Sequence, residues 1–291
     1  MKGIISGIKP MEIHDGDGIR TTVFFKGCPL SCLWCHNPES ISSAPQLAYF
    51  ESKCCHCNTC QTVCPQDAIS STGIDPGKCS LCLKCEALCP TEAIALYGKY
   101  YEPEQLVAEL LADKPYFDSS GGGVTLSGGE CLYQPDFAVS IAKLLTQQGV
   151  SVYIDTCGFV SREVLERISP YTTKFLYDIK AMDPAVHKSL TGQDNAVILK
   201  NLEYLLEKSK PVEIRIPLIA GCNENQCAAI GQFLASLHFD GKIKVLQYHK
   251  FAASRYRALG LPCTLPPGET TQEHIRQALQ TLRNFALNAT A

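Results

Sequence analysis

Short apolar stretches alternate with amphipathic stretches along most of the chain. Runs rich in β-branched and aromatic residues, which are typical of strands, lie at residues 20–26, 123–128, 150–155, 174–180, 212–219 and 242–248. Apolar residues at helical spacing predict helices near residues 104–114, 136–148, 161–168, 195–208, 223–237 and 271–287. Six strands that alternate with helices predict an α/β protein with a parallel sheet and right-handed crossovers, curled into a partial barrel.

This alternation is interrupted between Cys54 and Pro90. The interruption is rich in cysteine, and it contains two similar units, CPQDAI and CPTEAI, each of which follows a group of cysteines. We therefore predict an inserted domain at residues 51–94, within a barrel domain formed by residues 1–50 and 95–291.

Composition narrows the classes of function. The chain has 291 residues, a net charge of -3 and 17 cysteines. The net charge argues against a broad basic surface and therefore against nucleic acid as a partner. No apolar run approaches the roughly 20 residues of a membrane-spanning helix, and the first residues lack the pattern of a signal peptide, so we expect no membrane partner and a cytoplasmic location. Most thiols lie in three tight groups, which favours metal ligation over disulfides.

The first group is Cys28-x3-Cys32-x2-Cys35, in a Gly-Pro loop after the first predicted strand. Three thiolates leave one iron of a [4Fe-4S] cluster without a protein ligand. An open iron suits a small substrate that can chelate. The alternative is a structural zinc loop that takes its fourth ligand from His36.

The other two groups each match the ligand spacing of bacterial ferredoxins, C-x2-C-x2-C-x3-C-P. In that fold the fourth cysteine ligates the other cluster, so the spacing predicts two [4Fe-4S] clusters in a ferredoxin-like α+β domain. A zinc-binding module is the alternative. The predicted ligands are Cys54, Cys57, Cys60 and Cys89 for one cluster, and Cys79, Cys82, Cys85 and Cys64 for the other. Cysteines outside these spacings are expected to be packing, surface or spare thiols: Cys55, Cys131, Cys157, Cys222, Cys227 and Cys263.

Polar residues end several predicted strands. Parallel sheets of this kind place their chemistry at the carboxyl ends of the strands. A helix-capping role for the carboxylates is the alternative. The residues are the turn Ser127-Gly128-Gly129-Glu130, Asp155, Asp178, Lys180, Arg215 and His249.

These motifs resemble a known family. CPLSCLWCHNPE resembles the CxxxCxxC loop of radical-SAM enzymes, and the longer stretch DGDGIRTTVFFKGCPLSCLWCHNPES resembles the opening of glycyl-radical-enzyme activating enzymes, which include the pyruvate formate-lyase activase. The resemblance covers about residues 12–250. It implies a partial (β/α)6 radical-SAM barrel, reductive cleavage of S-adenosylmethionine, and hydrogen abstraction from a backbone glycine of a partner glycyl-radical enzyme.

The resemblance also implies roles for individual residues. Cys28, Cys32 and Cys35 would hold the catalytic cluster, and the turn at Gly128, Gly129 and Glu130 would grip the methionine amino group. The family usually has proline after this glutamate, where the present chain has Cys131. The remaining implied contacts are Asp178, Ile179 and catalytic Lys180 beside the methionine moiety, Trp34, Cys35 and His36 at the adenine, His249 near the adenosine, and Asp155 with Asp178 around a monovalent cation.

The insert resembles that of the subgroup serving diol dehydratases, choline lyase and arylacetate decarboxylases. The expected cofactors are then three [4Fe-4S] clusters and S-adenosylmethionine, with flavodoxin or ferredoxin as the electron donor. Two alternatives stay open at this point. One is a radical-SAM enzyme of the maturase type, which modifies another protein or a small molecule. The other is a ferredoxin-like electron carrier.

Overall fold

A computed structural model describes residues 2–291 of the chain. The strands are β1 (Gly3–Glu12), β2 (Arg20–Phe25), β3 (Gln46–Tyr49), β4 (Ile69–Ser70), β5 (Gly73–Ile74), β6 (Ile94–Tyr97), β7 (Lys99–Tyr101), β8 (Gly123–Gly128), β9 (Ser151–Thr156), β10 (Lys174–Asp178), β11 (Val212–Leu218), β12 (Lys242–Gln247) and β13 (Asn288–Thr290). The α-helices are α1 (Thr59–Thr62), α2 (Lys84–Ala87), α3 (Pro103–Leu110), α4 (Lys114–Ser120), α5 (Pro135–Gln147), α6 (Arg162–Ile168), α7 (Pro184–Thr191), α8 (Ala196–Glu207), α9 (Cys227–Ser236), α10 (Ala253–Ala258) and α11 (Gln272–Arg283). Short 3-10 helices lie at Pro38–Ser40, Glu51–Lys53, Leu111–Asp113, Cys131–Tyr133, Ser169–Tyr171 and Glu224–Gln226.

A large sheet with the strand order β13-β12-β11-β10-β9-β8-β2-β1-β7 organises the protein. Its strands from β2 through β8–β12 to β13 pair in parallel, which confirms the six predicted strands and the α/β class. The central strands are buried on both faces, as the three consecutive buried residues Phe175, Leu176 and Tyr177 illustrate. Such strands need helices on both sides, which the intervening segments supply.

Three predicted helix boundaries are wrong. The helix expected over residues 223–237 begins only at Cys227, after a 3-10 turn at Glu224–Gln226. The helix expected over residues 104–114 ends at Leu110, and a 3-10 turn leads into α4. Pro115 lacks the N–H that would continue the first helix. The helix expected over residues 271–287 ends at Arg283, because the chain turns at Ala286, where φ is 59°, and then forms β13 beside β12. None of the helices within residues 2–291 is long and apolar enough to cross a membrane.

The cysteine-rich segment forms two small antiparallel pairs. β3 pairs with β6 and β4 pairs with β5, and one short helix, α1 or α2, lies in each half. The backbone repeats itself at an interval of 25 residues. Three pairs of non-glycine residues with left-handed φ angles recur at this interval: His56 and Leu81, Asn58 and Leu83, and Asp67 and Glu92.

The loop between β1 and β2 contacts six strands of the large sheet. Asp15 accepts hydrogen bonds from Thr22 in β2 at 3.0 Å and from Thr125 in β8 at 2.7 Å. The same loop also accepts hydrogen bonds from Tyr153 in β9, Lys174 in β10, Arg215 in β11 and Lys244 in β12.

Candidate active site

A cavity of about 300 Å³ opens at the carboxyl ends of the parallel strands. The residues that were predicted to act together and that line it are Cys28, Cys32, Cys35, Trp34, His36, Ser127, Gly128, Gly129, Asp155, Asp178, Lys180 and Arg215. Cavities of this size hold small ligands. Glu130, Ile179 and His249 were predicted as cofactor contacts but do not line this cavity.

The three-cysteine loop is fixed by a helix that the sequence did not predict. The backbone N–H groups of Ser31 and Leu33 donate to the carbonyls of Thr191 and Leu190, at 2.8 and 3.0 Å. Both acceptors lie in the last turn of α7, where helix carbonyls lack partners within the helix. The loop therefore caps this helix, and the helix in turn sets the position of the thiols.

The three thiols share a buried environment. Burial raises the pKa of Cys28, Cys32 and Cys35, and that of Cys35 reaches about 12. The nearby Cys32 thiol adds to the shift at both of its neighbours. Thiols of this kind become thiolates when a metal displaces their protons, so metal binding and ionisation are coupled here.

The glycine turn after β8 packs directly on the cysteine loop. Gly128 has a φ of 121°, and a Cβ atom there would lie 2.1 Å from the backbone nitrogen of Phe25. A Cβ atom on Gly129 would lie 2.5 Å from the carbonyl oxygen of Gly27 and 3.0 Å from the Cβ of Cys28. Only glycine fits at these positions, and the backbone is left bare beside the cavity.

Glu130 lies beneath the cavity and links β8 to β9. Its carboxylate accepts hydrogen bonds from the backbone N–H groups of Leu132 at 3.0 Å and Cys157 at 2.8 Å, and from the Thr156 hydroxyl at 2.9 Å. Burial raises the pKa of this carboxyl, whereas the donors oppose the shift. Ile179 is buried in the main core. Both residues support the cavity wall from behind.

Four charged side chains meet on one side of the cavity. The Lys180 ammonium donates to Asp178, and the guanidinium of Arg215 lies 3.7 Å from the Asp155 carboxylate. Burial raises the pKa of Asp155 to about 7; Arg215 opposes this shift and Asp178 adds to it. Burial alone would lower the pKa of Lys180, but the adjacent Asp178 raises it.

An aromatic stack lies at the rim of the cavity. The rings of His36 and His249 stack with centroids 4.2 Å apart, and His249 stacks on Phe251 at 4.1 Å. The Nε2 atom of His36 is 2.9 Å from the backbone carbonyl of His249. Trp34 packs in a small apolar cluster with Tyr248. His249 therefore contacts His36, which lines the cavity, but does not line the cavity itself.

Several cavity residues were not predicted from the sequence. The chief ones are Asp15, Thr156, Cys157, Gln247 and Tyr248. Cys157 was expected to be a packing or surface thiol; it is buried, and it also lines the cavity. The last four lie at the carboxyl ends of β9 and β12, where parallel sheets carry their functional residues. This position could have identified them from the sequence.

In the cysteine-rich segment, one cavity of about 40 Å³ is lined by the four predicted ligands Cys54, Cys57, Cys60 and Cys89, and also by Cys55, which was expected to be a spare thiol. Backbone N–H groups donate to insert sulfurs in both halves, from Ala68 to Cys64 at 3.3 Å and from Ala93 to Cys89 at 3.2 Å. Cys85 and its neighbours Cys79 and Cys82 interact electrostatically, and burial raises the pKa of Cys85.

Within residues 2–291, no three His, Cys, Asp or Glu side chains already converge as the ligands of a single metal ion. In a [4Fe-4S] cluster each thiolate binds a different iron, so the ligands need not converge on one point. The chemistry of the donor set fits such clusters. Three predicted ligand thiols and bare glycine backbone line one cavity, and five cysteines, with an N–H donor to the sulfur of Cys89, line another.

Comparisons with known proteins agree with this geometry. A model of the radical SAM superfamily matches residues 22–234. The choline trimethylamine-lyase activating enzyme of Oleidesulfovibrio alaskensis is 40% identical over 272 residues, which cover 89% of this chain and 87% of that protein. The trans-4-hydroxy-L-proline dehydratase activating enzyme of Clostridioides difficile is 42% identical over 265 residues, which cover 88% of this chain and 87% of that protein.

Among solved structures, a domain of the pyruvate-formate lyase-activating enzyme from Bacteroides vulgatus aligns with a TM-score of 0.50 and 33% identity. It covers 58% of this chain and 98% of that chain. Members of the matched superfamily use S-adenosylmethionine and a [4Fe-4S] cluster. The maturase and electron-carrier alternatives are not favoured by these matches. The chain therefore belongs to the radical SAM superfamily, among the enzymes that activate glycyl-radical enzymes.

Proposed function

We propose that this chain installs a radical on a backbone glycine of a partner glycyl-radical enzyme, after reductive cleavage of S-adenosylmethionine. The observation that carries the proposal is the single cavity shared by the three-cysteine loop, the glycine turn and the Asp178–Lys180 pair. These three features come from distant parts of the chain. Their convergence supports a site in which a cluster and a small chelating ligand lie side by side.

The catalytic cluster would be held by Cys28, Cys32 and Cys35. When bound, such a cluster supplies one electron to the sulfonium of S-adenosylmethionine, which yields methionine and a 5'-deoxyadenosyl radical. The chain contributes orientation and charge. The bare backbone of Gly128 and Gly129 would receive the methionine amino group, and Lys180 would pair with the methionine carboxylate.

The charge of the site supports a cationic ligand. Asp15, Asp155 and Asp178 contribute three carboxylates to the cavity wall, against the two cations of Lys180 and Arg215. A sulfonium or a monovalent cation beside Asp155 and Asp178 would offset this excess. We assign Trp34 and His36 to the adenine side of the cavity, and His249 to the support of His36 through the ring stack. Glu130 and Ile179 then hold the wall behind the ligand.

We further propose three [4Fe-4S] clusters, two of them in a ferredoxin-like insert at residues 51–94. Cys89 of the second run lines the same cavity as Cys54, Cys55, Cys57 and Cys60 of the first, which supports the crossed ligation in which Cys89 completes the first cluster. The backbone repeat at 25 residues supports a second, equivalent cluster on Cys79, Cys82, Cys85 and Cys64. Reduced flavodoxin or ferredoxin would supply the electrons.

The remaining residues, 1–50 and 95–291, are proposed to form a partial (β/α)6 barrel. The short loop between β1 and β2 accepts hydrogen bonds from six strands, and this supports the curvature, because a flat sheet would not bring all six strands within reach of one loop. The loop lies inside the curl, and the cavity opens at the carboxyl ends of the strands, where a glycine loop of the partner would enter.

The proposal is tested by anaerobic incubation of the reconstituted enzyme with S-adenosylmethionine, a reductant and candidate partners. Choline trimethylamine-lyase and trans-4-hydroxy-L-proline dehydratase are suitable first candidates, because activating enzymes named for them are similar to this chain. We expect a glycyl doublet in the EPR spectrum of at least one partner, with equimolar 5'-deoxyadenosine. Steady cleavage of S-adenosylmethionine with no protein radical in any member of a broad panel of glycyl-radical enzymes would contradict it.

A further inference from the structure

One aromatic side chain at the rim of the catalytic cavity is far more exposed than its chemistry favours. Phe251 has an exposed fraction of 79%, the largest value among the large hydrophobic side chains of residues 2–291. Single exposed hydrophobic side chains are common on soluble proteins, so exposure alone assigns no role to Phe251. Its backbone and its neighbours in the aromatic stack do.

The turn that carries Phe251 is fixed on both sides of the ring. The backbone N–H of Ala253 donates to the carbonyl of Lys250 at 3.0 Å and closes the turn, and Ala252 between them is buried. The ammonium group of Lys250 donates to the backbone carbonyl of Pro267. The exposed ring therefore extends from a well-anchored backbone. An aromatic side chain held in this way loses little conformational freedom when a partner covers it.

The aromatic stack connects this exposed ring to the cavity. Phe251 stacks on His249 with ring centroids 4.1 Å apart, and His249 stacks on His36 at 4.2 Å; the ring planes are inclined by 30° and 18°. His36 lines the cavity, whereas His249 and Phe251 do not. The stack therefore begins in the cavity wall and ends in solvent, about 8 Å away.

The chemistry of the site identifies what has to cross this rim. Under the proposed function, on which this inference rests, a backbone glycine of the partner enters the cavity that His36 lines. The polypeptide on at least one side of that glycine must then pass over the rim. An extended chain advances about 3.3–3.6 Å per residue, so a partner residue about two or three positions from the glycine would lie at Phe251.

We propose that Phe251 is a docking contact for the glycine loop of the partner enzyme, and that its ring packs against partner residues about two or three positions from the radical glycine. Rigid aromatic side chains are enriched among the residues that contribute most to protein interfaces. The stack fixes this contact relative to the cavity. Phe251 therefore determines how firmly the partner is held, and the S-adenosylmethionine side of the cavity does not depend on it.

The contact is tested with the full-length, reconstituted enzyme and a glycyl-radical enzyme in which the wild type produces the EPR doublet. Phe251→Ala removes the ring and Phe251→Tyr keeps it. The matched control is Tyr116→Ala, which removes an exposed ring from α4, the helix that leads to the amino end of β8 and therefore lies away from the cavity. The rate of glycyl-radical formation is measured over a series of partner concentrations. The affinity for S-adenosylmethionine is measured without partner, from the change in the cluster EPR spectrum.

We expect Phe251→Ala to raise the partner concentration for half-maximal rate about tenfold or more, with the maximal rate and the affinity for S-adenosylmethionine within about twofold of wild type. Phe251→Tyr and Tyr116→Ala should match the wild type. Equal half-saturation in Phe251→Ala and Tyr116→Ala would overturn the proposal. An equal loss of affinity for S-adenosylmethionine would also overturn it, because the ring would then only support the histidines. A wild type that forms no radical in any partner would instead refute the proposed function.

A photochemical crosslink tests where on the partner the contact lies. The photoreactive residue p-benzoylphenylalanine replaces Phe251, and the mixture with the partner is irradiated without oxygen. We expect the main crosslink within about five residues of the radical glycine. Crosslinks confined to other regions of the partner, or to a second copy of this chain, would overturn the assignment of the glycine loop to Phe251.

Discussion

The close fit of Gly129 against the catalytic loop gives a prediction with a calculable size. An alanine Cβ at this position would lie 2.4 Å from the carbonyl oxygen of Ser40, 2.5 Å from that of Gly27 and 3.0 Å from the Cβ of Cys28. Two of these neighbours are backbone atoms, which cannot swing away. Overpacking of this kind costs about 1–3 kcal/mol, and the lower entropy of the unfolded alanine chain offsets about 0.4–1 kcal/mol of it.

We therefore expect Gly129→Ala to lower the free energy of unfolding of the apoprotein by about 1–2 kcal/mol. Because the added methyl group displaces Cys28, the variant should also lose the change in cluster EPR that S-adenosylmethionine produces. Urea denaturation and EPR titration measure the two effects. The matched control is Gly7→Ala, where a new Cβ has no neighbour within 4 Å. A Gly129→Ala variant that is as stable as this control and binds S-adenosylmethionine normally would refute the reasoning.

Three further predictions follow from the charged and buried groups. Burial raises the pKa of Asp155 to about 7. A cationic ligand that needs the ionised carboxylate should therefore bind more tightly as the pH rises to 7, and its affinity should level off above that pH. Equilibrium titration at several pH values should show this dependence, and Asp155→Asn should remove it. Lys180→Met should weaken S-adenosylmethionine binding about tenfold or more, whereas Lys188→Met, at an exposed position, should not. Equal affinities of the two variants for S-adenosylmethionine would contradict the pairing of Lys180 with the methionine carboxylate. Glu130→Gln should lower the free energy of unfolding by about 1–3 kcal/mol, because the new amide nitrogen would face buried N–H and O–H donors. Urea denaturation measures the effect, with the exposed Glu163→Gln as the control. Equal stabilities of the two variants would count against a structural role for the Glu130 carboxylate.

The parallel core of the fold was predictable because its strands carry the signal locally. Runs such as residues 175–177 are apolar on both faces, since helices cover both sides of the sheet. β1 was missed because its residues include two glycines and a proline, and its pairing with β2 is antiparallel. β13 was missed because its three residues carry too little signal, and only its pairing with β12 defines it.

The candidate site was predictable where spacing or strand ends reveal it, as at Cys28 and Lys180. It was not predictable where the contact joins residues far apart in the chain. The hydrogen bond from Arg255 to Glu39 joins residues 216 positions apart, and the sequence around neither residue predicts this contact. Cys157 lines the cavity only because β9 lies next to β8, which the order of strands in the sheet determines.

The central claim is that this chain removes one hydrogen atom from a backbone glycine of its partner. The most direct measurement uses a partner glycyl-radical enzyme grown with glycine deuterated at Cα, incubated anaerobically with the reduced enzyme and S-adenosylmethionine. Our account predicts deuterium in the 5'-deoxyadenosine and collapse of the glycyl EPR doublet. A protein radical that forms while the 5'-deoxyadenosine stays free of deuterium would contradict it.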